Sequence, residues 1–195
     1  MGLRIAALSG ADLEAALADV ARLRIEVFRA WPYLYDGDPE YEQAYLQNYR
    51  NSDRAVVVAA YDGDRLVGAS TGAPLMDHAA DFAAAFSGSG LDLAEIFYCA
   101  ESVLLPEFRG QGGGHAFFDL REAHARRFGF RMSAFCAVQR PDDHPLRPTD
   151  YAPLDAFWRK RGYRPLEAAV AQFAWKDVDQ SLETEKPLQF WLREL

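Results

Sequence analysis

Apolar residues recur at three- and four-residue spacing through Leu13, Leu17, Val20, Leu23 and Val27. That spacing predicts an amphipathic first helix, with Ser9 and Asp12 as a capping pair at its start. Asp38-Pro39 has the form of an N-cap followed by proline at the first helical position, and Tyr41, Tyr45 and Tyr49 then fall on one face of a second helix. The tyrosine stripe reads as half-buried packing. Residues 55–61 and 66–71 are apolar runs joined by Asp62-Gly63-Asp64, the composition of an antiparallel hairpin. A helical segment over 77–86 ends at Ser87-Gly88-Ser89-Gly90, and a strand over 95–105 leads into a glycine-rich run. Beyond it, Phe117, Phe118, Leu120, Ala123 and Phe128 line another helix, and 132–138 is again strand-like. Strand, helix and strand at that spacing predict a crossover between two parallel strands. A loop rich in proline and aspartate spans 139–153. A helix carrying Ala156 to Arg161 stops at Gly162, and strands over 170–175 and 188–192 complete the pattern. The expected fold class is α/β (α+β): a mixed, mostly antiparallel sheet with one parallel pair and flanking helices.

With half of its 195 residues hydrophobic, the chain can build one substantial core, so a single domain over 1–195 is expected. A net charge of −8 argues against a nucleic-acid partner, which requires clustered basic surface, and leaves cationic substrates open. Cys99 and Cys136 sit in apolar runs without Cys/His spacing, so they read as reduced core residues and no metal is expected. Asp12, Glu14, Asp19, Arg22, Arg24 and Glu26 interrupt the N-terminal apolar positions, and Ala6 occupies the place where a myristoylation signal needs serine or threonine. Cytoplasmic location without a membrane partner is the expectation.

The chemistry concentrates in Leu104-Leu105-Pro106-Glu107-Phe108-Arg109-Gly110-Gln111-Gly112-Gly113-Gly114. A strand, a glycine loop and a helix in succession form an anion cradle, because glycines turn backbone N–H groups inward and the helix N-terminus favours negative charge. His115 and Ala116 follow the last glycine, where a nucleotide P-loop needs lysine and a hydroxyl, and His115 stands where a dinucleotide fingerprint needs its third glycine. Arg109-x-x-Gly112-x-Gly114, preceded by an apolar strand and Pro106, closely resembles the pyrophosphate loop of the GNAT superfamily of acyl-CoA-dependent N-acyltransferases. Ala156-Phe157-Trp158-x-x-x-Gly162-Tyr163 is similar to a second block of that family, and the order of elements matches from about Leu13 onward.

The resemblance implies a splayed parallel strand pair, with acetyl-CoA or another acyl-CoA as co-substrate. It assigns pantetheine and thioester contacts to the backbone of Ser102, Val103 and Leu104. It assigns the pyrophosphate to Arg109, Gly110, Gln111, Gly112, Gly113, Gly114 and His115. Many members carry a tyrosine where this chain has Trp158, which leaves Trp158 as a channel wall, with plain core packing as the favoured alternative, and Tyr33, Tyr35, Tyr98 and Tyr151 as other candidate acids. Amine attack on a thioester needs a neutral amine, an N–H donor for the developing oxyanion and a stabilised thiolate. Glu101 interrupts an apolar strand near the expected acyl position and is the leading candidate base, with a solvent-facing or structural carboxylate as the alternative; His144 is the second candidate. His78 and His124 read as surface or packing residues. Within Trp31 to Asp38, the residues Tyr33, Tyr35 and Asp36 offer aromatic faces and a carboxylate to an ammonium group, although a packed turn explains them equally. The expected activity is acetyl transfer to the primary amine of a small-molecule or amino-acid-like acceptor by direct attack in a ternary complex. A homodimer is compatible with it. A catalytically inactive acyl-CoA-binding module on the same fold is the alternative, and a nucleotide-dependent oxidoreductase stands third.

Overall fold

The computed structural model describes residues 2–195. Seven strands form one sheet in the order β1-β2-β3-β4-β5-β7-β6. They are β1 (Arg4–Leu8), β2 (Val56–Asp62), β3 (Arg65–Pro74), β4 (Ile96–Leu104), β5 (Met132–Val138), β6 (Arg164–Lys176) and β7 (Glu183–Glu194). Helices α1 (Gly10–Phe28), α2 (Pro39–Asn51), α3 (Ala79–Phe82), α4 (Gly113–Arg127) and α5 (Asp155–Lys160) flank it. Every neighbouring pair is antiparallel except β4 and β5, so the expected mixed sheet with one parallel pair is the observed one.

The sequence pattern located the hairpin and the crossover, and four details differ. Strand β1 pairs with β2 as a sheet edge, yet its five residues Arg-Ile-Ala-Ala-Leu carry no alternation that announces a strand. Ser9 occupies the N-cap of α1 without a capping hydrogen bond from its side chain, so the Ser9 and Asp12 pair does not form. Asp38 does cap, accepting from the Tyr41 amide at 2.7 Å. In place of a continuous helix over 77–86, the backbone makes short turns around α3, broken where His78 and Phe82 take φ of −115° and −118°. The last two strands outrun the apolar runs that signalled them, because their outer residues alternate toward solvent. No helix among the described residues is long and apolar enough to cross a membrane.

The feature that positions the site is the way β4 leaves β5. Their ladder contains only Ile96↔Met132, Phe97↔Ser133 and Tyr98↔Ala134. Beyond it β5 stays paired to β7 as far as Val138↔Leu188, while β4 stays paired to β3 as far as Gly68↔Leu104. The sheet therefore opens along residues 99–104. A bulge causes the turn: Thr71 faces Glu101 and Ala73 faces Tyr98, so Cys99 and Ala100 together oppose Gly72. Such an extra residue bends and twists its strand. Glycine is required opposite it, since a Cβ on Gly72 would lie 2.5 Å from the Phe97 ring.

Candidate active site

At the end of β4 the chain makes a tight turn through Pro106–Phe108, and α4 begins at Gly113. Gly110 and Gly112 hold φ of 76° and 86°, a region in which a side chain is strained. The first amide to close a bond along the helix is that of Ala116, which donates to the Gly112 carbonyl at 3.1 Å. The N–H groups of Gly113, Gly114 and His115 precede it at the positive end of a 15-residue helix, and no side chain caps them. Arg109 Nε donates to the Leu104 carbonyl at 3.0 Å and so fastens the loop to its strand. The His115 ring turns toward α5, where Nδ1 lies 3.2 Å from Arg161 Nη1 and the ring rests on Phe157. Trp158 packs on Phe135 of β5 and Trp191 of β7, with ring centroids 5.0 and 5.1 Å away.

Successive β4 residues meet different helices. Ser102 Oγ accepts from Arg121 Nη2 of α4 at 2.8 Å. The buried Arg121 also donates through Nη1 to the carbonyls of Thr71 and Glu101, at 3.0 and 2.9 Å, so it secures the bulge. The Glu101 carboxylate points the other way, toward α1 and α2. Its Oε2 accepts from Tyr45 Oη at 3.0 Å, and Tyr45 Oη is 2.8 Å from Tyr49 Oη. Its Oε1 forms an ion pair with Arg24, whose Nε is bonded to Glu42. The side chains of Arg24, Glu42 and Glu101 are 9%, 0% and 8% exposed, so one guanidinium serves two carboxylates almost out of water. Burial opposes the Arg24 charge, but Glu101 and Glu42 outweigh it and hold the group firmly protonated.

This cluster forms one wall of a cavity of about 790 Å³. Tyr98, Ala100 and Glu101 of β4 and Cys136 of β5 reach it where the two strands part. Tyr33, Tyr35, Tyr41, Phe82, Phe173 and Trp175 give it a largely aromatic interior, and Asp36, Asp38, Lys176 and Glu183 also line it. Burial raises the phenols of Tyr33, Tyr45, Tyr49 and Tyr98 above the ordinary tyrosine range, so they stay protonated. It also pushes the Cys136 thiol up to about 12, and Cys99 is raised in the same way, so neither is a thiolate nucleophile. His78, against Tyr49, Phe82 and Tyr98, is held below its usual value by the same desolvation.

Several residues expected from sequence converge here. Tyr33, Tyr35 and Asp36 all line the cavity. The Asp36 carboxylate is nevertheless taken up by Arg29 and Lys176, at 3.0 and 2.6 Å. His144 does not join them: its ring packs 5.1 Å from Trp31, Nδ1 accepts from the Leu146 amide, and it is not among the residues lining the cavity. Tyr151 packs on Trp31 as well, also outside that lining. The tyrosine stripe is more than packing, because Tyr45 holds Glu101, and His78 lines the cavity as well as filling space. Arg24, Glu42 and Arg121 escaped the sequence reading. A second buried ion group supports the wall: Arg140 grips Asp177 through both Nη atoms, at 2.7 and 3.0 Å, and donates to the carbonyls of Pro32 and Tyr33. Trp175 Nε1 donates to the same Tyr33 carbonyl at 2.9 Å. No cluster of metal-ligating side chains occurs among the described residues.

A sheet opened beside a helix N-terminus that presents free amides, with a carboxylate at the gap, is the architecture of the acyl-transferring enzymes to which the glycine motif pointed. The chain matches the acetyltransferase (GNAT) family over residues 20–148 and belongs to that family. The match contains the glycine loop and Glu101 and ends before the Trp158 block. No curated protein matches the sequence significantly. Among solved structures, the chain is similar to ribosomal-protein-alanine N-acetyltransferase from Brucella melitensis, at a TM-score of 0.63 and 14% identity over 98% of this chain and 99% of that one. A GCN5-related N-acetyltransferase from Kribbella flavida superposes at a TM-score of 0.59 and 17% identity, covering 100% and 98%. An acetyltransferase-like protein from Salmonella typhimurium, solved with its cofactor acetyl-CoA, superposes at 0.61 and 12% identity, covering 100% and 95%. At these identities the likeness is one of fold.

Proposed function

We propose that this chain, acting as one domain, transfers an acetyl or other acyl group from acyl-CoA to the primary amine of a small-molecule or amino-acid-like acceptor, by direct attack in a ternary complex. The observation that carries the reading is the position of the Glu101 carboxylate on the cavity wall, at the point where β4 leaves β5 and just before the glycine loop. The fit to acyl-CoA rests on the uncapped amides of Gly113, Gly114 and His115, the two left-handed glycines and the exposed Arg109 guanidinium, all suited to a pyrophosphate. Gly110 and Gln111 complete that loop. The backbone of Ser102, Val103 and Leu104, on the edge that β5 has vacated, would meet the pantetheine arm. Trp158 would wall its channel.

Bound acyl-CoA supplies an electrophilic thioester carbonyl. Glu101 Oε2 accepts the proton that the acceptor's ammonium must lose, directly or through Tyr45, whose hydroxyl already donates to it. Amides on the freed edge of β4 donate to the carbonyl oxygen as charge gathers there. The amine nitrogen attacks to form the C–N bond, the nitrogen then gives its second proton to solvent, and the oxyanion collapses to break the C–S bond, so the departing sulfur needs stabilisation. Tyr33 or Tyr98 can give it a hydrogen bond, but phenols raised this far do not yield a proton to a thiolate whose conjugate acid has a pKa of about 8.5. Solvent completes the protonation. His144 has no step in this scheme.

Thiol release from acetyl-CoA across a panel of amines tests the proposal. Amine-dependent release that is lost in Glu101→Gln supports it. Thermal stabilisation by acetyl-CoA with no release for any amine would instead make the chain a binding module.

A further inference from the structure

The walls of the cavity say more about the acceptor than that it is an amine. We infer that the acceptor is a primary amine with a bulky apolar body and no carboxylate, an arylalkylamine-like molecule and not a free amino acid. The inference rests on the acyl-transfer reading for the identity of the cavity, but it is argued from the charge and shape of the walls.

Charge comes first. Glu42 and Glu101 share Arg24, which leaves this cluster one negative charge in excess while its side chains are less than a tenth exposed. Glu42 Oε1 is buried and takes no hydrogen bond from Arg24, which is bonded to Oε2. Uncompensated buried charge and unmet buried acceptors are costly, and an ammonium group brings both the missing charge and N–H donors. The full lining carries the same sign, with Asp36, Asp38, Glu42, Glu101 and Glu183 set against Arg24 and Lys176.

Neither cation is free to receive a carboxylate. Arg24 is held by two carboxylates and lies 4.3 Å over the Tyr45 ring, and Lys176 Nζ is 2.6 Å from Asp36. Arg140, behind the wall, is spent on Asp177 and two carbonyls. Burial keeps His78 from adding a positive charge, which agrees with this geometry. A carboxylate entering the cavity would thus meet like charge with no free cation to neutralise it, and the neutral phenols could offer it hydrogen bonds only. An apolar body would meet Tyr33, Phe82, Phe173 and Trp175 in a space of about 790 Å³, at the upper part of the range of sites that enclose drug-sized ligands.

Four probes that share one ring separate the alternatives: 2-phenylethylamine, phenylalanine, 3-phenylpropionate and the uncharged 3-phenylpropanol, each titrated calorimetrically into the full-length protein and each amine also assayed for thiol release with acetyl-CoA. The amine is expected to bind, phenylalanine to bind at least about tenfold more weakly, and the acid not to bind, because like-charge contact is penalised and each factor of ten is a modest free-energy difference. Glu42→Gln removes the excess charge while keeping an acceptor for Arg24, so it should weaken the amine and leave 3-phenylpropanol unchanged. Should that variant fail to fold, the exposed Glu183→Lys should narrow the ratio between amine and amino acid. Equal or tighter binding of phenylalanine or phenylpropionate overturns the inference, as does failure of the amine to bind. Release with amino acids but not with arylalkylamines overturns it while sparing acyl transfer, whereas amine binding without any release sinks acyl transfer and spares the inference.

Discussion

Replacing Glu101 by glutamine removes one charge and one basic oxygen while preserving shape. The amide oxygen can still accept from the Tyr45 hydroxyl, now 3.0 Å from Oε2, and the backbone carbonyl that anchors Arg121 is untouched. Arg24 keeps Glu42 as its partner. The buried cluster passes from two carboxylates and one guanidinium to one of each, so the substitution relieves like-charge repulsion as it forfeits an ion pair, and the net effect on stability should stay within about 1 kcal/mol. What disappears is the proton acceptor. General-base catalysis contributes roughly 10²–10⁴ in rate, about 3–5 kcal/mol of barrier at 1.36 kcal/mol per tenfold. Initial-rate measurements of thiol release should therefore show kcat reduced by that factor, and the thermal shift produced by acetyl-CoA should be unchanged. Wild-type turnover in a folded Glu101→Gln protein would refute the assignment and move proton removal to water.

Three further outcomes follow from other parts of the site. Gly112→Val places a β-branched residue at φ 86°, beside the uncapped amides of α4, and should abolish the rise in melting temperature caused by acetyl-CoA while the unliganded chain still folds. Trp158→Phe should keep most activity because it preserves the contacts on Phe135 and Trp191, whereas Trp158→Ala should raise the dissociation constant for acetyl-CoA; a large loss in the Phe variant would make the indole N–H a specific contact. Asp177→Asn leaves Arg140 and Lys186 without their buried carboxylate and should cost about 3–5 kcal/mol, or roughly 6–20 °C in melting temperature. Burial opposes the charge of Asp177, but its hydrogen bonds from Arg140 and Lys186 prevail and set its pKa below the usual carboxylate value. Its stabilisation is accordingly present above the unfolded-state pKa of about 3.9 and is lost as pH falls through the lower folded value, which acid melts of wild type and Asp177→Asn would register as converging curves.

Local features of the chain were the ones its sequence disclosed. The glycine loop is read from contiguous residues, since the groups that make an anion site there are backbone amides whose presentation depends on glycines at fixed offsets. The hairpin between β2 and β3 and the crossover from β4 to β5 are set by turn residues and by the change of apolar period. Strand β1 was hidden because its pairing with β2, and not any alternation of its own, makes it a strand. The cluster around Glu101 was hidden for a different reason: Arg24 and Glu42 stand 18 residues apart, and Tyr45 and Glu101 stand 56 apart. A trace of it existed. Arg24 follows Leu23 inside the buried face of α1, and a charge in that stripe must have a partner.

The same distortion makes both halves of the proposed site. By inserting an extra residue opposite Gly72, β4 turns away from β5, which frees the edge proposed for the thioester arm and leaves the gap into which the cavity opens. A bent strand with unpaired backbone is costly unless its polar groups find other partners. Arg121 meets that need from α4 by taking the carbonyls of Thr71 and Glu101, while Arg24, on α1, takes the Glu101 carboxylate and not the backbone. Glu101 is therefore fixed at both its backbone and its side chain, each by a cation on a different helix. The two cations are not interchangeable in effect. Losing Arg121 would release the bulge and with it the cofactor edge, so acetyl-CoA binding should suffer; losing Arg24 would leave the bulge in place and strand two buried carboxylates beside the acceptor, so the damage should fall on the amine.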